Sequence, residues 1–155
     1  MTGPESLHTL NLLAERITAE RDTAQGHLAE CIQRADHARR SAGELSQYRV
    51  DYEQRWSRQF AQAGTMDIVN CYQNFSGKLS EAIHSQEQMA RQAEARVETA
   101  RTALLAVEMR LAAVKKLMER RLAETQLREQ RQEQKASDEF AARVARDRVR
   151  NIPSL

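Results

Sequence analysis

The sequence contains two prolines, Pro4 and Pro153, and the 148 residues between them contain none. Proline removes a backbone hydrogen bond and clashes with the preceding helical turn, so its absence allows a helix to continue without interruption. Only five glycines occur, aromatic residues make up 5% of the chain and charged residues make up 30%. This composition, rich in Ala, Glu, Gln, Arg and Leu, is typical of long helices or coiled coils.

Apolar residues recur at alternating spacings of three and four, which is the heptad pattern of a coiled coil. A first line comprises Leu7, Leu10, Ala14, Ile17, Arg21, Ala24, Leu28, Cys31, Ala35, Ala38, Ala42, Leu45, Arg49, Tyr52, Trp56 and Gln59. A second line comprises Ile83, Gln86, Ala90, Ala93, Val97, Ala100, Leu104, Val107, Leu111, Val114 and Met118. Two such lines on one chain predict two helices that pack against each other.

The segment between the two lines, FAQAGTMD, has the residues of a turn. Gly64 permits a bend, and the residues from Thr65 to Asp67 can cap the helix that follows. We therefore predict an all-α protein, in which two long helices form an antiparallel coiled-coil hairpin. The predicted parts of this single domain, residues 1–155, are helix 1 over about 6–62, a turn over about 63–66, a longer helix 2 over about 67–148, and flexible ends.

Folding the chain back at Gly64 also predicts which residues face each other. Leu10 meets Met118 and Leu45 meets Ile83, with numbers that sum to about twice 64. Heptad lines alone permit registers that differ by seven residues, and we expect the glycine to select among them. In this register the part of helix 2 beyond about Met118 or Leu122 has nothing left to pack on, so it is predicted to overhang helix 1.

Residue patterns that mark catalytic and cofactor sites do not occur. The sequence has no GxxxxGK[ST] or GxGxxG phosphate-binding motif, and its four histidines share no i, i+4 spacing. A two-helix rod also offers no concave pocket that excludes water. We therefore predict that the protein is not an enzyme and has no catalytic residue, cofactor or metal site. Cys31 is expected to be buried and Cys71 partly exposed, without a disulfide between them.

Charge and hydropathy indicate a soluble scaffold. No apolar run approaches the roughly 18 residues that span a bilayer, and the first residues lack the pattern of a secretory signal. A cytosolic location with reduced thiols is therefore expected. Net charge is only +2, although residues 120–150 carry nine Lys or Arg against six Asp or Glu. Because these arginines alternate with acidic residues, a solvated helix face is favoured over a nucleic-acid interface.

Six aromatic residues lie near the turn: Tyr48, Tyr52, Trp56, Phe60, Tyr72 and Phe75. Tyr52, Trp56 and Phe60 are predicted to fill the tip of the hairpin, with Trp56 opposite Tyr72. Tyr48 falls beside the first line and is expected to be partly exposed.

A further line, made of Phe75, Leu79, Ala82 and Gln86, is one residue out of step with Ile83. Such an offset predicts a local unwinding of the coiled coil. It also widens the apolar arc beyond what one partner helix covers, so this line is interpreted either as core or as a docking site for another protein.

Several of these segments together resemble the FliJ family, small coiled-coil proteins of the bacterial flagellar type III export apparatus. The likeness covers nearly the whole chain and includes SQYRVDYEQR on helix 1, NFSGKLSEAIHSQ on helix 2 and SDEFAARVAR near the end. Its most informative residues are Phe75, Leu79, Ala82, Ile83, Asp138, Glu139 and Phe140.

The resemblance implies a non-enzymatic rod that inserts into the ring of the export ATPase FliI and couples it to the export gate. The gate contact implied is the cytoplasmic linker of FlhA, and FliH and export chaperones are further partners. It also implies a role in motility, no nucleic-acid partner and a cytoplasmic location at the base of the flagellum, with peripheral membrane association through the gate. The gate contact would map to Phe75, Leu79, Ala82, Gln86 and Tyr48.

This sequence departs from the family pattern at a few positions. Gln86 stands where some members have histidine, Ser41 and Glu44 stand where others have leucine and tyrosine, and Val114 replaces an aromatic residue. The equivalent stalk protein of a virulence type III secretion system is the alternative interpretation. A coiled coil that binds nucleic acid or acts as a spacer is the third.

Overall fold

The structure is a computed structural model, and it describes residues 4–62 and 64–154. It contains two α-helices: α1 spans Pro4–Gln62, 59 residues, and α2 spans Met66–Arg150, 85 residues. No strand occurs among the described residues. The prediction of an all-α helical hairpin whose second helix is the longer one is confirmed. Of the predicted flexible ends, residues 1–3 and 155 lie outside the described residues.

The turn between the helices contains Gly64 and Thr65, while the predicted turn residue Ala63 lies outside the described residues. The Thr65 carbonyl accepts a hydrogen bond from the Val69 N–H at 3.2 Å, which places Thr65 at the N-cap of α2. Gly64 does not adopt a positive φ, and a Cβ there would meet only the Phe60 carbonyl oxygen, at 3.9 Å. The bend therefore does not require the conformational freedom of glycine.

The chain divides into two compact units, and residues 20–108 form the larger one. Its core is a cluster of small and medium side chains contributed by both helices: Cys31, Ala35, Val97 and Ala100, with Leu28 and Ala93 packed against them. The predicted register pairs these same residues across the seam. Ala35 is the most buried of them, with 1% of its surface exposed. Small side chains let the two helices approach closely at this level, and Ala38, Ala42 and Ala93 remain half-buried.

Near the turn the seam differs from the predicted one. On α2 the buried line passes through Ser76, Leu79 and Ile83 at regular spacings of three and four. The predicted local unwinding is therefore wrong, because Ser76 rather than Phe75 takes the seam position before Leu79. On α1 the residue that follows Trp56 in the seam is the half-buried Phe60, whereas Gln59 is exposed.

The second unit comprises the described residues 4–19 and 109–154. Ile17 and Leu111, which the register places opposite each other, are each 5% exposed. A guanidinium N–H of Arg121 donates a hydrogen bond to the Ser6 hydroxyl at 3.1 Å. Beyond Arg121 every described residue of α2 is exposed. The part of α2 from Leu122 to Arg150 thus corresponds to the predicted overhang.

Candidate functional site

One side of the seam in the 20–108 unit is bordered by two lines of residues spaced seven apart. The line on α1 includes Ser41 and Tyr48, and the line on α2 includes Phe75, Ala82 and Met89. Residues seven apart follow one line because two turns of a coiled-coil helix take seven residues. We call the surface formed by these two lines the Tyr48 flank.

The turn end of this unit is held together by an aromatic cluster. Seven ring pairs have centroids between 4.5 and 6.3 Å apart. Trp56 lies 5.7 Å from Tyr72 and 5.4 Å from Phe60, which confirms the predicted packing of the tip. Aromatic pairs at such distances contribute roughly 0.5–1.5 kcal/mol each beyond the area they bury. These contacts join α1 to α2 next to the turn.

Tyr52 is the central ring of this cluster. It stacks on Tyr48 at 6.3 Å and on Tyr72 at 5.9 Å, and its centroid lies 4.5 Å from that of Phe75. Burial raises the pKa of Tyr52 above its ordinary value of 10.0, although a hydrogen bond with Trp56 acts in the opposite direction. One half-buried ring thus contacts both exposed rings, Tyr48 on α1 and Phe75 on α2.

The structure separates the five residues that the sequence assigned to a gate contact. Tyr48 is 48% exposed and Phe75 is 40% exposed, and Ala82 is also exposed on the same flank. Leu79, at 7% exposure, belongs to the core, and Gln86 is half-buried in the seam. A partner can therefore touch the first three directly. Leu79 and Gln86 lie beneath that surface and act on it through the packing of the helices.

Sequence reasoning missed two contributors to this surface. Met89 is 54% exposed and extends the apolar line seven residues beyond Ala82. Its spacing was the signal that could have identified it. Tyr52 was assigned only to the tip, although it also connects Tyr48 to Phe75. That connection joins residues on two helices, and no pattern within either helix indicates it.

The Tyr48 flank presents exposed apolar side chains of the kind that suit contact with another protein. Among the residues that the structure describes, no group of three or more His, Cys, Asp or Glu side chains could hold a metal ion. Cys31 is buried and Cys71 is exposed, and both are free, as the sequence predicted. A strip of exposed rings and small side chains can receive the apolar face of a helix or of an extended segment from another protein.

A second exposed surface lies on the overhanging part of α2. It carries apolar side chains that nothing in the chain covers: Leu127 at 49% exposure, Phe140 at 69%, Val144 at 38% and Val149 at 71%. Phe140 and Val144 are four residues apart, so they share one face of the helix. Arg148 and Arg150 lie in the last turn, where positive charge interacts favourably with the helix dipole.

These features define a class: a two-helix coiled-coil protein whose exposed aromatic and apolar residues suit contacts with other proteins. The family described as flagellar FliJ protein matches residues 6–150, and the chain belongs to this family. The resemblance inferred from the sequence is thereby confirmed. The family consists of non-catalytic coiled-coil components of flagellar type III export, so this chain is a component of that export system.

The other comparisons add no relatives. A search of curated proteins and a search of solved structures each gave no significant match. Within the described residues, neither helix has a stretch long and apolar enough to cross a membrane.

Proposed function

We propose that the protein is the stalk-like component that associates with the ring of the export ATPase FliI and couples it to the export gate protein FlhA. Membership of the FliJ family supports this role. The observation that carries it is the exposed pair Tyr48 and Phe75, which Tyr52 holds in place on one flank. A coupling protein needs two separate contact surfaces, and the chain has the Tyr48 flank and the overhang of α2.

The Tyr48 flank is proposed to bind the cytoplasmic linker of the gate. Phe75, Tyr48 and Ala82 provide the direct contact, while Leu79 and Gln86 keep α2 in the register that presents them. Full burial of a phenylalanine side chain contributes about 1.5–3 kcal/mol, so covering the exposed 40% of Phe75 contributes about 1 kcal/mol. Several such contacts give a modest affinity, which suits a coupling step that must release its partner.

The overhang of α2 is proposed to bind the ATPase ring. Phe140 and Val144 supply an apolar face, and the arginines near the end of the helix supply charge. A single helix inside a ring of identical subunits contacts them unequally, so it can favour assembly and transmit the state of one subunit. FliH and export chaperones are further partners in this proposal. The protein would act in the cytoplasm at the base of the flagellum, with the membrane reached only through the gate.

The gate contact is tested by calorimetric titration of the purified cytoplasmic part of the gate protein with the full chain. A variant with Phe75→Asp and Ala82→Asp is expected to bind at least tenfold more weakly, because two carboxylates replace the apolar contact. Val50→Asp is the matched control, since Val50 is similarly exposed, at 45%, but does not belong to the Tyr48 flank. Equal affinity of the double variant and the wild type would remove the gate contact from the proposal.

The ATPase contact is tested by mixing the protein with its export ATPase and counting closed rings by electron microscopy. The wild-type chain is expected to increase the fraction of rings, and Phe140→Asp is expected to abolish the increase. The double variant on the Tyr48 flank should still promote rings, because it leaves the overhang unchanged. If the wild-type chain has no effect on ring formation, the stalk role is refuted while the gate contact is judged separately.

A further inference from the structure

A groove of about 610 Å³ lies between the two helices, on the part of the Tyr48 flank that is farther from the turn. Its floor is formed by Ala38 and Ala93, whose small side chains leave a trough between the helix backbones. Met89 lies on one wall and is 54% exposed. Arg34, which is fourteen residues before Tyr48, and Arg96, which is fourteen after Ala82, continue the two lines of the flank into this groove.

The two arginines of this groove have no ion-pair partner in the part of the chain that the structure describes. Arg34 and Arg96 enter it from opposite helices, and neither forms an ion pair with any other described residue. Among the described residues that line the groove, Glu30 is the one carboxylate, and His37 also lines it. Two guanidinium groups that border one trough repel each other, so this arrangement does not serve the stability of the hairpin.

The groove on the opposite side of the same core provides a contrast. It has a volume of about 480 Å³, and its arginines are paired. Arg39 contacts Glu94 at 2.8 Å and Asp36 at 3.7 Å, and Arg101 contacts Glu98 at 3.6 Å. The two grooves of this core therefore differ in whether the arginines that line them are paired.

We propose that the groove bordered by Arg34 and Arg96 docks an acidic amphipathic α-helix of a partner protein. Carboxylates of that helix pair with Arg34 and Arg96, because the guanidinium fork matches a carboxylate in a bidentate geometry. Its apolar residues cover Ala38 and Ala93 and contact Met89, a flexible side chain that adapts to different surfaces. This proposal rests on the charges and shape of the groove and does not depend on the proposed function.

A protein helix fits the groove better than a nucleic acid does. The floor is apolar and presents alanine and methionine side chains, which suit aliphatic side chains spaced three and four residues apart. No phenylalanine, tyrosine or tryptophan lines the groove within the described residues, so it lacks the large aromatic rings on which bases stack best. Glu30 would also repel a phosphate backbone, whereas it tolerates a partner helix whose acids are placed opposite the two arginines.

The test uses two fluorescent helical peptides of about 18 residues, a length at which a capped helix is stable enough to form. One presents leucines on one face with glutamates on both sides, and the other has glutamine in place of each glutamate. Fluorescence anisotropy against the full-length protein is expected to show at least tenfold tighter binding of the acidic peptide. That binding should weaken as salt is raised, since exposed charge pairs are screened.

Variants locate the site. The double variant Arg34→Glu, Arg96→Glu is expected to bind the acidic peptide at least tenfold more weakly. The double variant Arg39→Glu, Arg101→Glu, which changes the opposite groove, is expected to keep the affinity for this peptide within about threefold of the wild type. Arg96→Glu alone puts a carboxylate across from Arg34, so the melting temperature should stay constant or rise while peptide affinity falls. That combination shows that the loss does not come from unfolding.

Four results would overturn the proposal. Equal binding of the two peptides would show that charge is not recognised, and unchanged affinity of the double Arg34 and Arg96 variant would place binding elsewhere. Tighter, Arg34-dependent binding of a short RNA than of the acidic peptide would identify a nucleic acid as the occupant. A dimer in sedimentation that the same double variant abolishes would identify a second copy of the chain instead.

Discussion

Leu79 and Ala82 are one helical turn apart, yet the structure gives them opposite roles. Leu79 is 7% exposed in the seam, whereas Ala82 lies on the exposed Tyr48 flank. Replacing a buried leucine by alanine costs about 2–5 kcal/mol, and the lower part of that range applies where two helices surround a side chain incompletely. We therefore expect Leu79→Ala to cost about 2–3 kcal/mol, which lowers the melting temperature by roughly 4–12 °C for a chain of this length.

Ala82→Asp is expected to behave differently. An exposed substitution changes stability by at most about 0.5 kcal/mol, and the lower helix propensity of aspartate adds a similar amount. The predicted cost is thus below about 1 kcal/mol. At a temperature where both variants are folded, Ala82→Asp should lose gate affinity, and Leu79→Ala should keep most of it.

The measurement is urea and thermal unfolding followed by circular dichroism at 222 nm, with the wild type and both variants in the same buffer. The midpoint and the slope of the urea transition are compared, because a changed slope would signal loss of two-state behaviour. If Ala82→Asp were as destabilising as Leu79→Ala, the seam would run through Ala82, as the offset line in the sequence suggested. That result would refute the assignment of Ala82 to the exposed surface.

Other predictions concern the stability and the chemical reactivity of single positions. Gly77→Ala should stabilise the hairpin by about 0.5–1 kcal/mol, because glycine weakens a helix interior. A Cβ at this position meets nothing within 4 Å among the described residues, so a destabilised variant would contradict the prediction. Gly64→Ala should change the free energy of unfolding by less than about 1 kcal/mol, since no positive φ is required, and a loss above about 2 kcal/mol in urea unfolding would refute that. Because burial raises the pKa of Tyr52 in the folded protein, the stability linked to its protonation is complete below pH 10 and is lost as the pH rises through the folded-state pKa. Tyr52→Phe should therefore flatten the dependence of the melting temperature on pH between pH 9 and 11, whereas a Tyr48→Phe control should keep that dependence. In a thiol-reagent assay Cys71 should react at once and Cys31 only on unfolding, whereas two fast thiols would show that the seam opens at Cys31.

The fold follows largely from the sequence because a coiled-coil seam is a local periodic signal. The first line predicted the buried face of α1 from Leu7 to Trp56, and the register placed Cys31 and Val97 in one cluster. Hydrophobicity alone could not predict that Ser76 rather than Phe75 occupies the seam position, because phenylalanine is the more hydrophobic of the two. Continuity of spacing with Leu79 and Ile83 decides the position, and the large ring then packs at the border.

The candidate site was less accessible to sequence reasoning. Exposure of Tyr48 could be predicted, since it lies four residues before a seam position on the same helix. The contact of Tyr52 with Phe75 and the juxtaposition of Arg34 with Arg96 each join residues of two helices, 23 and 62 positions apart in the sequence. Such pairs can be identified only when the register between the two helices is known to the exact residue, because the position of each side chain within its own helix does not indicate the contact.

Export by the living cell tests the central claim most directly. A strain that lacks the gene is complemented with the wild type, with the Phe75→Asp and Ala82→Asp variant, or with Val50→Asp, and the flagellar filament protein released into the medium is measured at equal levels of each variant. We predict that the wild type and Val50→Asp restore export and that the Tyr48-flank variant does not. Full export by that variant, or normal export by the strain without the gene, would contradict the account.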